Sequence, residues 1–404
     1  MISEKQKMIL AFPYTKKTVL ICDGAVRSGK TSLMIVAFVD WAMKNFRDMR
    51  FGICGKTIGS AEKNILYPYM AMSYARNRYK MSYHRADKVL EVVQGGKVNY
   101  FELFGGKDES SFVLIQGRTL AGVLLDEVAL MPESFVNQAL ARCSVEGSKL
   151  WFSCNPAGPT HWFYKEWVLK AKEKNAIRIH FRMEDNPALS EEILERYRSM
   201  FTGVFYQRYV LGEWVLAEGL VYEFNDEKNS IREPRPNGGL WYISCDYGIT
   251  NPFAALLWYV TKRCAYLVDE YYYNSREMQY RRTDEEHYSE IERLAGDRRI
   301  EEIIIDPSAT SMKETIYRHG KFDCRNANND VLGGIGVTST LLNAGMIKID
   351  KDKCPDLLTE FGLYQWDPDK GDTPIKENDH AMDAMRYMCQ TVLADEYDWL
   401  DWGT

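Results

Sequence analysis

The sequence predicts an α/β protein in two domains, the first built on a mostly parallel sheet. Three observations point there. Short apolar runs alternate with helix-compatible stretches from residue 18 to residue 155, the pattern of strands joined by crossover helices. One junction, TVLICDG–AVRSGKT–SLMIVAFVDWAMKNF, reads as strand, glycine loop, helix. A break rich in proline and glycine, IREPRPNGG at 231–239, then precedes a second series of strands.

In order, TVLICDG (18–24) is an apolar strand ending at a glycine, and 32–46 continues with helical spacing. RFGIC (50–54), KVNYFELFG (97–105), VLLDE (123–127) and KLWFSCN (149–155) read as further strands, with a helix over 132–144 that opens on Pro132. Ser190 before two glutamates starts an amphipathic helix in a linker region. Beyond the break, 240–248, 253–260 and 264–273 look like three strands joined by short turns. A polar helix over 276–294, a strand at 301–307 and a helix near 377–393 follow. The expected boundaries are 1–185 for the first domain, 186–235 for the helical linker and 236–404 for the second domain.

The 404 residues suit two or three domains at roughly 150 residues each. Hydrophobic residues at 46% and charged residues at 27% are ordinary for a globular chain. No apolar run approaches the ~18 residues of a membrane span, and the N-terminus lacks a signal peptide's apolar core. Nine cysteines without a C-x-x-C pair suggest reduced thiols in a cytosol. The net charge of −6 neither supports nor excludes nucleic acid as a partner, since local patches decide that.

Gly24, Gly29, Lys30 and Thr31 fit G-x-x-x-x-G-K-[ST]. Loop glycines, with Ser28, let backbone N–H groups approach phosphate oxygens. Lys30 would reach the β- and γ-phosphates, and the Thr31 hydroxyl would hold Mg²⁺. Asp126 at the end of its strand suits metal coordination, and Glu127 could polarise the attacking water; a solvent-facing acidic pair is the plain alternative. Asn155, in SCNP, could sense the γ-phosphate, or the Asn-Pro could simply turn the chain. Gln6 could meet the adenine edge or be an exposed glutamine. Arg27, an extra cation in the loop, could stabilise the transferring phosphoryl group, or could pair with a carboxylate and shape the loop.

Asp246 and Asp306 each end an apolar strand, and Asp383 lies on a helix with Asp379 and His380 on the same face. Such a set could hold two divalent metals about 4 Å apart and serve phosphodiester hydrolysis; Mg²⁺ and Mn²⁺ prefer such oxygen ligands. Each aspartate alone could be a turn former, a cap or a surface charge. Asp269 and Glu270 are weaker candidates. SYARNRYKMSYHR (73–85) mixes cations and tyrosines, which suits DNA, although a solvated amphipathic helix is the more common explanation.

Taken in order, GAVRSGKT, VLLDEVALMP, SCNPAGPTHW, CDYG, IIDPSA and NDHAMDAMRY resemble the large terminase subunit of tailed bacteriophages, over nearly the whole chain. The resemblance implies a P-loop ATPase domain followed by a ribonuclease-H-like α/β nuclease domain. It implies a packaging motor in which ATP hydrolysis drives double-stranded DNA through a portal into a procapsid. A two-metal endonuclease would cut concatemeric DNA at initiation and termination. Gly24, Arg27, Gly29, Lys30 and Thr31 match the phosphate loop, Asp126 and Glu127 the motor acids, and Ser153, Cys154 and Asn155 the coupling motif. Asp246, Asp306 and Asp383 match the nuclease ligands; some relatives carry a histidine at the third position, which keeps His380 beside Asp383. The implied cofactors are ATP with Mg²⁺, and Mg²⁺ or Mn²⁺ at the nuclease site. The implied partners are the small terminase subunit, the portal protein and a ring of subunits, commonly five, with no membrane. The implied location is the cytoplasm of the bacterial host, and the protein would be absent from the mature virion. From the residues alone, two other readings stay open. One is a cellular helicase-like or repair ATPase with an attached nuclease. The other is a P-loop ATPase with a scaffold domain, whose three aspartates need not converge.

Overall fold

The computed structural model describes residues 2–248, 252–368 and 370–396. Contacts divide the chain into two compact units. Of the described residues, the first unit holds those up to Tyr197 together with Gly203–Leu216, and the second holds Arg198–Thr202 and those from Ala217 to Glu396. Residues 186–235 are therefore shared between the units. No helix among the described residues is long and apolar enough to cross a membrane.

In the first unit, eight strands form one sheet: β1 (Val19–Gly24), β2 (Arg50–Gly55), β3 (Lys80–His84), β4 (Val89–Gln94), β5 (Lys97–Gly105), β6 (Gly122–Leu125), β7 (Lys149–Cys154) and β8 (Ala176–Phe181). Their order is β3-β4-β5-β2-β6-β7-β1-β8. The run from β5 to β8 is parallel throughout, and the β3–β4–β5 edge is antiparallel. All six residues of β1 are buried, as a parallel strand covered on both faces requires, which is why the sequence shows a continuous apolar run there. Helix Lys30–Asn45 covers one face through Phe38 and Trp41. The Phe38 ring lies 5.8 Å from Phe51, 5.8 Å from Phe101 and 5.7 Å from Trp151, so one side chain ties three strands to the helix. Phe135, Phe152 and Phe163 fill the other face.

One expectation needs correction in this unit, and one strand went unread. The stretch 73–85 is a helix only over Ser73–Arg78; it then becomes edge strand β3, whose Lys80, Ser82 and His84 alternate with more covered neighbours. The sequence reading also passed over β8, although AIRIHF interleaves Arg178 and His180 with its apolar residues as a half-buried strand does.

The second unit has a six-stranded sheet: β9 (Leu240–Asp246), β10 (Phe253–Val260), β11 (Ala265–Tyr273), β12 (Ile300–Ile305), β13 (Cys324–Asn326) and β14 (Ile347–Ile349). The order is β13-β12-β9-β10-β11-β14. β9, β10 and β11 form an antiparallel meander, and β12 returns parallel to β9. Cys245 pairs with Ile305, so the next residues, Asp246 and Asp306, emerge side by side at neighbouring strand ends. Helix His380–Met388 is nearly all buried. The polar helix expected over 276–294 starts only at Asp284. Thr283 caps it, accepting from Glu286 N, while the Glu286 carboxylate accepts from Thr283 N. Residues 274–283 form a loop instead.

Candidate functional site

The first cleft lies at the C-terminal end of β1, where a parallel sheet gathers ligand-binding loops. Gly24 takes a φ of +132°, and a Cβ there would stand 2.0 Å from the Phe181 carbonyl oxygen. Only glycine lets the loop leave β1 so close to the end of β8. Arg27 sits at φ 56° and Glu127 at φ 54°, left-handed conformations that cost a non-glycine residue about 1 kcal/mol or more. Both line the cleft, together with Ser28, Lys30, Thr31 and Asn155. The Lys30 ammonium donates to the Ala25 carbonyl at 2.6 Å, the Gly24 carbonyl at 3.1 Å and Asn155 Oδ1 at 3.1 Å. Burial lowers its affinity for the proton. The Thr31 hydroxyl donates to Asp126 Oδ1 at 2.7 Å, and Ser153 donates to the same oxygen.

Burial raises the Asp126 carboxyl against the pull of those two hydroxyls. Burial and the neighbouring Asp126 charge push Glu127 up to about 7. A carboxyl so placed can take a proton near neutrality. The structure thus brings Lys30, Thr31, Asp126, Glu127, Ser153 and Asn155 into one cleft. Cys154, buried at the end of β7, lines the cleft as well. Gln6 is not the exposed glutamine of the alternative reading. It is 4% exposed and is not among the residues lining the cleft. Its Nε2 donates to the Ser28 carbonyl at 3.1 Å, and its Oε1 accepts from Ser3 N at 3.0 Å, so it straps the loop to the first helix.

Sequence reading missed the support beneath the loop. Asp23 is fully buried and accepts from Arg178 Nε at 2.8 Å and Nη2 at 2.7 Å, and from Trp214 Nε1 at 2.9 Å. Burial alone would raise this carboxyl; the hydrogen bonds from Arg178, His180 and Trp214 outweigh it and hold it at about 2. The Trp214 segment also touches the loop directly, since Val26 N donates to the Tyr209 carbonyl at 3.0 Å. At Gly212 (φ +79°), a Cβ would lie 2.4 Å from the same Phe181 oxygen that crowds Gly24.

The second cleft lies within the second unit and is lined by Asp246, Asp306, Asp379, His380 and Asp383. His380 Nδ1 stands 2.8 Å from Asp246 Oδ2. The Tyr387 hydroxyl bridges the two strand-end acids, 2.8 Å from Asp306 Oδ2 and 3.4 Å from Asp246 Oδ1. Asp383 faces cations of the chain: Arg386 Nη2 at 2.9 Å and Lys376 Nζ at 3.4 Å. Burial raises Asp246 and Asp379. Burial also raises Asp306, but hydrogen bonds from Ser308 and Tyr387 win and lower it. The donors are oxygens, the chemistry of Mg²⁺ and Mn²⁺, and the shared Tyr387 hydroxyl keeps Asp246 and Asp306 within reach of one another. Among the described residues, no three His, Cys, Asp or Glu side chains stand as a closed metal-holding set. The two weaker candidates are not among the cleft's lining residues. Glu270 caps helix Pro355–Phe361 by accepting from Asp356 N at 2.7 Å and Leu357 N at 3.1 Å, and Asp269 pairs with Leu257 in the sheet. Glu360, unnoticed in the sequence, caps helix His380–Met388 through Ala381 N at 2.7 Å and Met382 N at 3.1 Å.

A phosphate-loop sheet, followed by a meander sheet with acids at adjacent strand ends, defines a class: a P-loop ATPase fold joined to a ribonuclease-H-like nuclease fold. The family model described as terminase large subunit, T4likevirus-type, N-terminal, matches residues 21–229. The large terminase of a thermophilic bacteriophage is 44% identical, with 97% of this chain and 99% of that chain covered and a TM-score of 0.92. The same phage protein in complex with ADP matches at 44% identity, covering 97% and 100%, with a TM-score of 0.91. Its complex with ATP-gamma-S matches at 44% identity over the same shares, with a TM-score of 0.90. No curated protein matches the sequence. The chain belongs to the large terminase family of bacteriophages.

Proposed function

We propose that this chain is a packaging motor subunit that hydrolyses ATP in the first cleft and cuts double-stranded DNA in the second. The observation that carries the motor reading is the Thr31–Asp126–Ser153 hydrogen-bond chain beside Lys30. It joins the loop, the strand-end acid and the following strand at one point. ATP would lie with its phosphates along residues 24–31; that the thermophilic phage protein was solved in complex with ADP and with ATP-gamma-S supports nucleotide binding. Thr31 and Asp126 would hold Mg²⁺, which when bound supplies charge neutralisation of the β- and γ-phosphates. Lys30 would exchange its carbonyl partners for phosphate oxygens. Glu127 would take the proton of the attacking water, and Arg27 would stabilise charge on the transferring group. Asn155, already bonded to Lys30, would report the γ-phosphate to β7.

In the second cleft, Asp246 and Asp306, with Asp383 or His380, would hold Mg²⁺ or Mn²⁺, two ions on the fullest reading. The ions when bound supply a polarised water and a Lewis acid for phosphodiester hydrolysis. In the wider reading, DNA moves through a portal into a procapsid and cuts open and close each packaging event. The partners are a small terminase subunit, the portal and a ring of like subunits, in the host cytoplasm.

The test measures both activities on each variant. Lys30→Ala and Glu127→Ala should abolish ATP turnover and leave Mn²⁺-dependent plasmid cleavage intact, with Glu127→Ala still binding nucleotide. Arg27→Ala should lower kcat far more than it raises KM. Asp246→Asn and Asp306→Asn should do the reverse of Lys30→Ala. Asp383→Ala and His380→Ala, compared side by side, decide which completes the nuclease site. Normal plasmid cleavage by both aspartate variants would refute the nuclease reading.

A further inference from the structure

The second cleft meets a polyanion with a floor of carboxylates. Asp246, Asp306, Asp379 and Asp383 line it, and Glu277 and Glu377 stand on its walls. Lys376 lies 3.5 Å from Asp379 and 3.4 Å from Asp383, and His380 is paired with Asp246. Arg276 stands at the rim. It is exposed and belongs to the loop that leaves β11, where Asn274, Arg276 and Met278 all line the cleft.

This loop is built. Asn274 turns it, with its Oδ1 accepting from Arg276 N at 3.2 Å and its carbonyl from Met278 N at 3.0 Å. Gln279 takes a φ of 51°. On the far side, the Tyr280 carbonyl accepts from Tyr273 OH at 3.0 Å, and Arg282 lies 4.5 Å from the centre of the Tyr273 ring and pairs with Glu290 at 2.9 Å. Both ends are fixed, so little ordering entropy would be lost on binding. The tip presents Arg276, the acid Glu277 and a Met278 that is 63% exposed at the lip of a polar cleft. An apolar side chain displayed beside a cation is the pairing that meets a nucleic-acid strand, phosphate on one and sugar or base on the other.

We propose that Asn274–Arg282 is the arm that seats double-stranded DNA over the carboxylate cleft. Arg276 takes a phosphate of the strand entering the cleft, and Met278 packs against the sugar or base edge next to it. This rests on reading the cleft as a nuclease site. The test uses the full chain, supercoiled plasmid and Mn²⁺, with cleavage followed over a range of DNA and salt concentrations. Arg276→Ala should raise the DNA concentration for half-maximal cleavage by about tenfold, leave kcat within about twofold, and reduce the log–log salt dependence by about one. Arg276→Lys should restore most of the affinity, because a phosphate needs only a point charge. Met278→Ala should weaken binding with the salt slope unchanged. ATP hydrolysis without DNA should be normal in all three. If wild type cuts, Asp246→Asn does not, and Arg276→Ala keeps wild-type affinity and salt slope, the arm is wrong and the nuclease reading stands. A wild-type chain that cuts no plasmid overturns both.

Discussion

Burial holds His287 far below the usual imidazole range, at about 4, with the nearby Arg282 charge adding to the effect. The ring accepts from or donates to Tyr271 OH at 2.9 Å and lies edge-on to Phe253 at 4.7 Å. The unfolded chain, with an imidazole near 6.5, binds the proton first. Stability from this residue is therefore complete above about pH 7 and is lost as pH falls towards 4. By pH 5 the loss should be about 2 kcal/mol. Chemical unfolding of the full chain at pH 7 and pH 5 checks this: wild type should lose about that much more than His287→Gln. An equal loss in the two proteins would remove His287 from the account. No sequence signal announced this residue, because its burial depends on β10 and β11 closing over helix Asp284–Ala295. The positions of Lys30 and Thr31 at the start of a helix, and of the acids at the ends of β6, β9 and β12, were legible because short-range pattern alone sets them.

At the level of elements, β1 is joined to its edge neighbour β8 by the pair of the buried Asp23 with the partly exposed Arg178 as well as by backbone bonds. Arg178→Ala would leave the Asp23 charge buried with too few partners. It should cost about 3 kcal/mol, while Asp23→Asn combined with Arg178→Ala should cost less than the sum of the single changes. Denaturant midpoints of the three variants measure it; additive losses would mean the two groups act separately. The partners lie 155 and 191 residues from Asp23 along the chain, beyond any local pattern, so this support was invisible in the sequence. AIRIHF was passed over although its alternation marks a strand, and 73–85 looked like one amphipathic helix because its cations and tyrosines carry over into an edge strand.

For the molecule as a whole, the position of the unit boundary changes how the nuclease half should be cut out. The break at 231–239 suggests a fragment starting near 232, but the second unit already includes residues from Ala217. Asn229 Nδ2 donates to the Leu342 carbonyl at 2.8 Å and the Ile347 carbonyl at 3.2 Å, and Leu220 and Ser230 bridge to Gln365 and Ile349. A fragment from 217 should therefore melt higher than one from 232 and should cut plasmid with Mn²⁺ in the absence of ATP. Equal melting of the two would show that 217–231 adds nothing. The crowding at Phe181 has a consequence for heredity. Gly24 in the loop and Gly212 in the segment that runs on to Ala217 both press on one carbonyl oxygen. A substitution at Gly212 would push the loop from behind, so a lesion far along the genetic map would present as a nucleotide-binding defect. Second-site revertants of such a lesion should cluster around residues 24–26 and 181, not around its own neighbours in the chain.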